Sequence, residues 1–408
     1  MNEHRVVALG GAGAMGRPAV EALAGREDIA ELVIADRDLA AAERLAAQLA
    51  GTASAPLVPQ AADATDPVRL RELFRDADIV VNTTGPFFRL GVPVLKAAID
   101  TRTHYVDICD DWEPTLDMLA LDAQARSAGV IAVIGAGASP GTSNMLAALA
   151  TRELDTVDDI FTAWPVDVPF VGDDPDEDAI AGASAATVHW MQQLSGTIRT
   201  WVGGKPAERP PLEPVTLDYP GLGTGTAYTV GHPEPVTLPG TRSIARSSAC
   251  VMVVQPTTAA YLMTLRDDID RGKLSLEQAA AAIDTPTAGH FARSALRRPW
   301  LRGPGALPAF FALATGSRDG RPYTVGARMI ASPRGMARAT GIPLALATSQ
   351  ILDGSVRTHG VHPPDAVLDP ERYFDALAAH CDPPQADRGE VVKVDHAPVA
   401  AATAPWPA

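Results

Sequence analysis

Residues 6–16, VVALGGAGAMG, followed by Asp36, constrain the fold of this chain more tightly than any other stretch. Val6 to Leu9 reads as a short buried strand, and Gly11, Gly13 and Gly16 fit G-x-G-x-x-G at its end. Ala14 to Ala24 is apolar at helical spacing, with Pro18 in the first turn, where its missing N–H costs nothing. A second strand, Leu32 to Ala35, delivers Asp36 twenty residues after Gly16. That is the separation expected of a carboxylate that binds an adenosine ribose. On this reading Gly11 allows the tight turn, Gly13 lets the backbone approach a pyrophosphate, and Gly16 lets helix and strand pack closely. Ala14 and Met15 place backbone N–H groups at the helix N-terminus, facing the negative charge. Strand, helix, second strand and acid in register predict a dinucleotide-binding unit.

At 408 residues, 46% of them hydrophobic, the chain is long enough for two domains with separate cores. Its net charge of −15 opposes binding to nucleic acid or to an anionic membrane surface, and neither partner is expected. The three cysteines, Cys109, Cys250 and Cys381, lie far apart with no C-x-x-C. This argues against a disulfide framework or a zinc site. His359 and His362 fall in a proline-rich turn, and no metal is predicted. No basic-plus-apolar leader and no membrane-length apolar run is visible, so the expected compartment is the reducing cytoplasm.

Strand and helix signals alternate from residue 5 to about 137. The predicted helices are Asp38 to Leu49, one opened by the Asp66-Pro67 cap, Val92 to Asp100, and Pro114 to Ser127. The strands between them end near Asp63, at Asn82, at Ile108 and at Ile134. Such alternation predicts an α/β fold, a Rossmann-type doubly wound parallel sheet, with ligands bound beyond the carboxyl ends of the strands. Residues 1–148 are assigned to this domain, completed by a helical return over 336–384. Residues 149–335 form a second, α+β domain for substrate and dimerisation, with strands at Ile198 to Val202, Ala249 to Val254 and Tyr323 to Met329. The Ala/Pro-rich stretch 385–408 is expected to be disordered.

Three segments carry a family resemblance: 82–91 (NTTGPFFRLG), 103–107 (THYVD) and 138–144 (ASPGTSN). With 231–238 (GHPEPVTL) and 360–364 (GVHPP), they resemble the saccharopine dehydrogenase (saccharopine reductase) family. The resemblance is strongest over residues 5–150. It implies an NAD(P)-dependent oxidoreductase acting on a C–N bond of an amino-acid-like small molecule, an amine on one side and an imine on the other, and a homodimer. It would place the Thr84, Gly85, Pro86 loop by the nicotinamide ribose and the strand end at Asp107 beside the substrate. Ser139 stands where several members carry an acid–base Asp, and Asp110, Asp111 and Trp112 replace the family's usual Gly-Glu. Serine does not exchange protons near neutral pH without an activating partner, so saccharopine itself becomes a less fitting substrate.

Asp36 is read as the ribose ligand rather than a helix cap. It favours NAD, while Arg37 beside it could accept the 2′-phosphate of NADP. Asp63 falls near the adenine ring or serves as a turn residue before Thr65. Asp107 and His232 are the predicted catalytic pair at the substrate. His189, Arg242 and Arg246 are further candidates in the second domain, Arg242 and Arg246 for a substrate carboxylate. Lys96 reads as a surface residue and Cys109 as a small buried hydrophobe. Two other readings remain open: a C=C or C=O reductase of the same broad family, and a non-catalytic NAD(P)-binding sensor.

Overall fold

The computed structural model describes residues 4–167 and 185–398. The chain divides into two compact units, one of residues 4–145 and 332–388, the other of residues 146–331 and 389–398.

In the first unit the strands are β1 (His4–Leu9), β2 (Ile29–Asp36), β3 (Leu57–Ala61), β4 (Ile79–Asn82), β5 (His104–Asp107) and β6 (Ile131–Val133). The strand Gly360–His362 joins the sheet beside β6, and the order across it is Gly360–His362, β6, β5, β4, β1, β2, β3. Every pairing is parallel. The chain reverses its winding direction between β1 and β4, the point where a crevice opens at the carboxyl edge. Near-continuous burial of Val6 to Leu9 and Leu32 to Ala35 is what a sheet covered on both faces requires. The covering helices include α1 (Gly16–Ala24), α2 (Leu39–Leu49), α3 (Pro67–Phe74), α4 (Phe87–Thr101), α5 (Trp112–Leu119) and α6 (Asp122–Ala128).

The Asp66 carboxylate accepts from the backbone N–H groups of Val68 and Arg69, with Pro67 in the first turn of α3, as the sequence predicts. The helix predicted from Val92 starts instead at Phe87 and carries Pro93 inside it. Gly91 lets α4 approach α5, since a methyl there would lie 3.3 Å from the Met118 sulfur. The helix predicted over Pro114 to Ser127 is two helices. Asp122 at the start of α6 accepts from Val361 N–H at 3.0 Å, a tertiary bond with no local signature.

The return helix Gly335–Leu352 packs on α1 through Gly341. A methyl there would meet the Met15 carbonyl at 2.4 Å, so only glycine lets the two backbones touch. Farther on, Tyr373 meets the Thr142 hydroxyl at 2.6 Å, and Asp365 accepts from the Asn144 amide at 2.7 Å. These bonds pin the Ser139–Asn144 segment to the return.

The second unit is built on a mixed nine-stranded sheet. Its main path runs Pro214–Tyr219, Gly223–Val230, Ile244–Val253, Thr156–Pro165, Phe311–Arg318, Arg321–Met329, Val392–Pro398. Only Ile244–Val253 and Thr156–Pro165 run parallel; the other neighbours on that path are antiparallel. The expectation of disorder from residue 385 is corrected here. Val392–Pro398 is an edge strand in register with Tyr323–Met329, and Arg328 donates to Asp395 at 2.8 Å. Alternating Val392 and Val394 supply the strand pattern that the surrounding Ala/Pro composition hides. Residues 399–408, and most of the Pro- and Asp-rich stretch at 165–178, lie outside the described residues.

Candidate cofactor site

The glycine loop follows β1. Gly10, not Gly11, takes the left-handed turn conformation, with φ of 77°. Its N–H bonds to the Ala35 carbonyl at 2.8 Å, tying the loop to β2. A methyl on Gly16 would stand 2.2 Å from the Gly10 carbonyl oxygen, and one on Gly11 would stand 2.8 Å from the Ala8 carbonyl oxygen. Both glycines are needed for the chain to close on itself. Gly13 differs: a methyl there would meet only the Gly10 carbonyl, at 3.2 Å, and otherwise open space. A glycine the protein itself barely needs leaves room for a ligand to approach the backbone. This is the cradle that a pyrophosphate requires at a helix N-terminus, where Ala14 and Met15 lead into α1.

Asp36 ends β2 and accepts from Ala12 N–H in the glycine loop at 3.2 Å and from Asp38 N–H at 3.1 Å. The acid and the loop are therefore one assembly. Arg37 is exposed beside it and, with Gln60, Asp63 and Arg69, lines a cavity of about 510 Å³ along the β3 edge. Asp63 accepts from the Thr65 N–H at 2.8 Å and its hydroxyl at 2.7 Å, which hold its carboxyl below the usual range. This is the turn arrangement weighed from sequence, and it leaves Asp63 on the cavity wall.

After β4, Thr83 donates to the Gly10 carbonyl at 2.9 Å, joining this loop to the glycine loop. The Thr84 hydroxyl donates to Asn82 at 2.6 Å, and Gly85 and Pro86 follow as exposed residues. A buried relay then runs inward. Asn82 donates to the Tyr105 hydroxyl at 2.9 Å, and that hydroxyl donates to Asp107 at 2.8 Å. Asp107 also accepts from Cys109 N–H at 3.0 Å and Gly135 N–H at 2.7 Å. Burial pushes its pKa up to about 6, against the pull of those three hydrogen bonds.

The two members of the substrate-facing pair expected from sequence fall in different units, and both are buried. Asp107 is fully buried in the first unit, its carboxylate committed to joining the ends of β4, β5 and β6. His232 is buried in the second unit, 3.7 Å from Glu234. Burial opposes charge on its imidazole, but Cys250 and Glu234 beside it outweigh that and hold its pKa well above the ordinary histidine value. His232, Glu234 and Cys250 present donor atoms within 4.8 Å of one another, a nitrogen–oxygen–sulfur set that could hold zinc if a fourth ligand joined them.

Arg246, a candidate for a substrate carboxylate, is bound to the buried Asp159 through two nitrogens, so its charge is spent inside the second unit. Arg242 donates to the Thr151 hydroxyl at 3.1 Å and the Thr241 carbonyl at 2.9 Å. His189 and Gln193 lie 3.0 Å apart on one helix. Lys96 is exposed and Cys109 fully buried, as read from the sequence. Ser139 is half-buried in the loop that Gly141 closes, where φ is 124°. Sequence reasoning puts Gly10, Asn82 and Tyr105 at the strand ends where function is expected, but does not give them these roles. Gly10 sits in the run of glycines, but nothing local shows which of them turns left-handed.

Residues 6–133 match the family model for the saccharopine dehydrogenase NADP binding domain, so this stretch belongs to that domain family and is NAD(P)-binding. Over 147 residues, 35% of this chain and 35% of the relative, the sequence is 29% identical to a trans-acting enoyl reductase of Mycobacterium leprae. Over 152 residues it is 25% identical to a carboxyaminopropylagmatine dehydrogenase of Synechocystis, covering 36% of this chain and 37% of the relative. These matches span about a third of either protein. A short-chain dehydrogenase from Sphingobium yanoikuyae, solved in complex with NADPH, overlaps 32% of this chain and 69% of its own at 18% identity and a TM-score of 0.27.

Proposed function

We propose, from a first unit that belongs to the saccharopine dehydrogenase NADP-binding domain family, that this chain is an NAD(P)-dependent oxidoreductase. Its reaction interconverts an amine and an imine at a C–N bond of an amino-acid-like small molecule. The observation that carries the cofactor is the Gly13 cradle, open outward and tied through Ala12 to Asp36. When bound, NAD(P) supplies the hydride acceptor or donor. Gly10 to Gly16 bind the pyrophosphate, and Asp36 the adenosine ribose. Arg37 and Asp63 flank the adenosine end, Arg37 being placed to accept a 2′-phosphate. The Thr84, Gly85, Pro86 loop orients the nicotinamide end.

Orientation is most of what hydride transfer asks of protein, because the reacting carbon must be held close to the ring with water excluded. Asp107 contributes at one remove. Through Tyr105 and Asn82 it fixes Thr84, and is a positioning residue rather than a proton carrier. The partial match to a Mycobacterium leprae trans-acting enoyl reductase supports a second reading, reduction of a C=C bond. A panel of amino acids, polyamine-type amines and enoyl thioesters, run with NADPH and NADH and followed at the nicotinamide absorbance band, separates the two. Turnover on an amine or imine supports the first reading. Turnover on enoyl thioesters alone replaces it with the second, and none on any of them overturns both.

A further inference from the structure

Three side chains of different chemistry converge inside the second unit. His232 and Glu234 stand either side of Pro233, where the strand Gly223–Val230 turns into the helix Glu234–Thr241. Cys250 comes from the strand Ile244–Val253 and lies opposite Val230 in the antiparallel register. Pro233 and Pro235 each restrict the residue before them, and those residues are His232 and Glu234. Gly231 lets the turn sit tightly, because a methyl there would meet the Ile198 side chain at 2.8 Å and the Gln193 carbonyl at 3.1 Å. All three side chains are buried. Met191, Val230 and Met252 share the apolar cluster of Cys250, and the Trp164 ring lies 5.5 Å from the His232 imidazole.

The donor atoms are spaced as ligands of one ion. Oε1 of Glu234 lies 3.9 Å from the Cys250 sulfur, and Oε2 lies 3.7 Å from Nδ1 of His232. The nitrogen–oxygen separation exceeds that of a strong hydrogen bond. Bond lengths of about 2.0–2.3 Å to a tetrahedral ion put neighbouring ligand atoms about 3.3–3.5 Å apart, so a small contraction closes the site. Ser248 stands two residues before Cys250 on the same strand face. Its buried hydroxyl makes no hydrogen bond among the described residues, a second polar group on this face that protein neighbours do not satisfy.

We propose that His232, Glu234 and Cys250 hold a structural zinc ion, with Glu234 binding through both oxygens. The carboxylate presents one oxygen toward the sulfur and the other toward the imidazole, so its second oxygen supplies the fourth ligand atom. Charge favours this assignment. A thiolate and a carboxylate balance the two charges of the ion, a neutral imidazole completes the set, and the buried cluster carries no net charge. Calcium and magnesium fit less well, because they select oxygen ligands over sulfur and imidazole nitrogen. The sequence argument against zinc rests on cysteine spacing, which does not see a site whose ligands are of three kinds. Buried ligands close the site to substrate. The ion therefore fastens the turn and the helix Glu234–Thr241 to the strand Ile244–Val253, independently of hydride transfer.

Elemental analysis of the purified full chain, with X-ray absorption at the zinc edge, tests this. The expected result is about one zinc per chain with one sulfur neighbour at about 2.3 Å. Cys250→Ala loses the sulfur neighbour and most of the zinc, whereas Cys109→Ala and Cys381→Ala keep both. Because Cys250→Ala removes a buried group, the wild type is also refolded with cobalt in place of zinc. A thiolate-to-cobalt charge-transfer band and the visible absorption of a tetrahedral ion then report the same ligands. That band alone, in protein purified zinc-free, supports the site. Protein that carries no zinc and refolds with cobalt without the band overturns the proposal. So does bound zinc with no sulfur neighbour, or a sulfur neighbour that persists in folded Cys250→Ala.

Discussion

Replacing Asp107 by Asn makes a prediction whose sign depends on pH. The buried carboxyl has its pKa raised from 3.8 to about 6 in the native state. The native protein therefore holds this proton more tightly than the unfolded chain does. The stabilisation that protonation brings is complete below about pH 4 and is lost as pH rises through about 6. At neutral pH, burying the charge costs about 3 kcal/mol, from two pKa units at 1.36 kcal/mol each.

Asparagine removes that cost and keeps an oxygen for the Cys109 and Gly135 N–H groups. Its amide nitrogen then replaces the oxygen that Tyr105 donates to, which leaves that hydroxyl without its acceptor at a cost of about 1–3 kcal/mol. The two terms nearly cancel at pH 7.5. At pH 4.5 wild-type Asp107 has recovered about 2 kcal/mol by binding its proton, and Asp107→Asn is the less stable protein by about that amount. Urea unfolding of both proteins at the two pH values reads the difference directly. A destabilisation equal at both would refute the account of Asp107 as a buried, charge-strained positioning residue.

Other perturbations separate binding from folding. Gly13→Ala is expected to leave stability within about 1 kcal/mol while weakening NAD(P)H binding at least about tenfold, because its methyl meets little of the protein. Gly16→Ala should lower the unfolding midpoint as well, since its methyl falls 2.2 Å from a carbonyl oxygen. Asp36→Ala should weaken the cofactor by roughly 1–3 kcal/mol, measured by calorimetry, and unchanged affinity would remove Asp36 from the ribose. Arg246→Ala should cost about 3 kcal/mol in thermal or urea unfolding, because Asp159 stays buried after losing its cation.

The first unit was the legible part of the chain. Its strands are short apolar runs, and the Asp66-Pro67 cap and the glycine loop are local signatures with few competing explanations. What escaped notice depends on contacts distant in sequence. The break between α5 and α6 rests on Asp122 meeting Val361, and the close approach of the return helix to α1 rests on Gly341. Asp107 reads as a substrate-side group from the family resemblance of 103–107, and His232 from that of 231–238. A sequence does not show that Tyr105 and Gly135 close around the one, or that Glu234 and Cys250 surround the other. Both side chains are buried, each against neighbours of its own unit. The strand Val392–Pro398 was hidden by composition, its alternation lost beside the proline and alanine that follow.

The central claim is that the Gly10–Gly16 loop binds a nicotinamide dinucleotide. Titrating the full chain with NADPH and with NADH, following nicotinamide fluorescence, tests it most directly. The account predicts saturable binding at one site per chain by at least one of them, weakened at least about tenfold in Gly13→Ala while that variant remains folded. Absence of binding by either dinucleotide, or equal binding by Gly13→Ala, would contradict it.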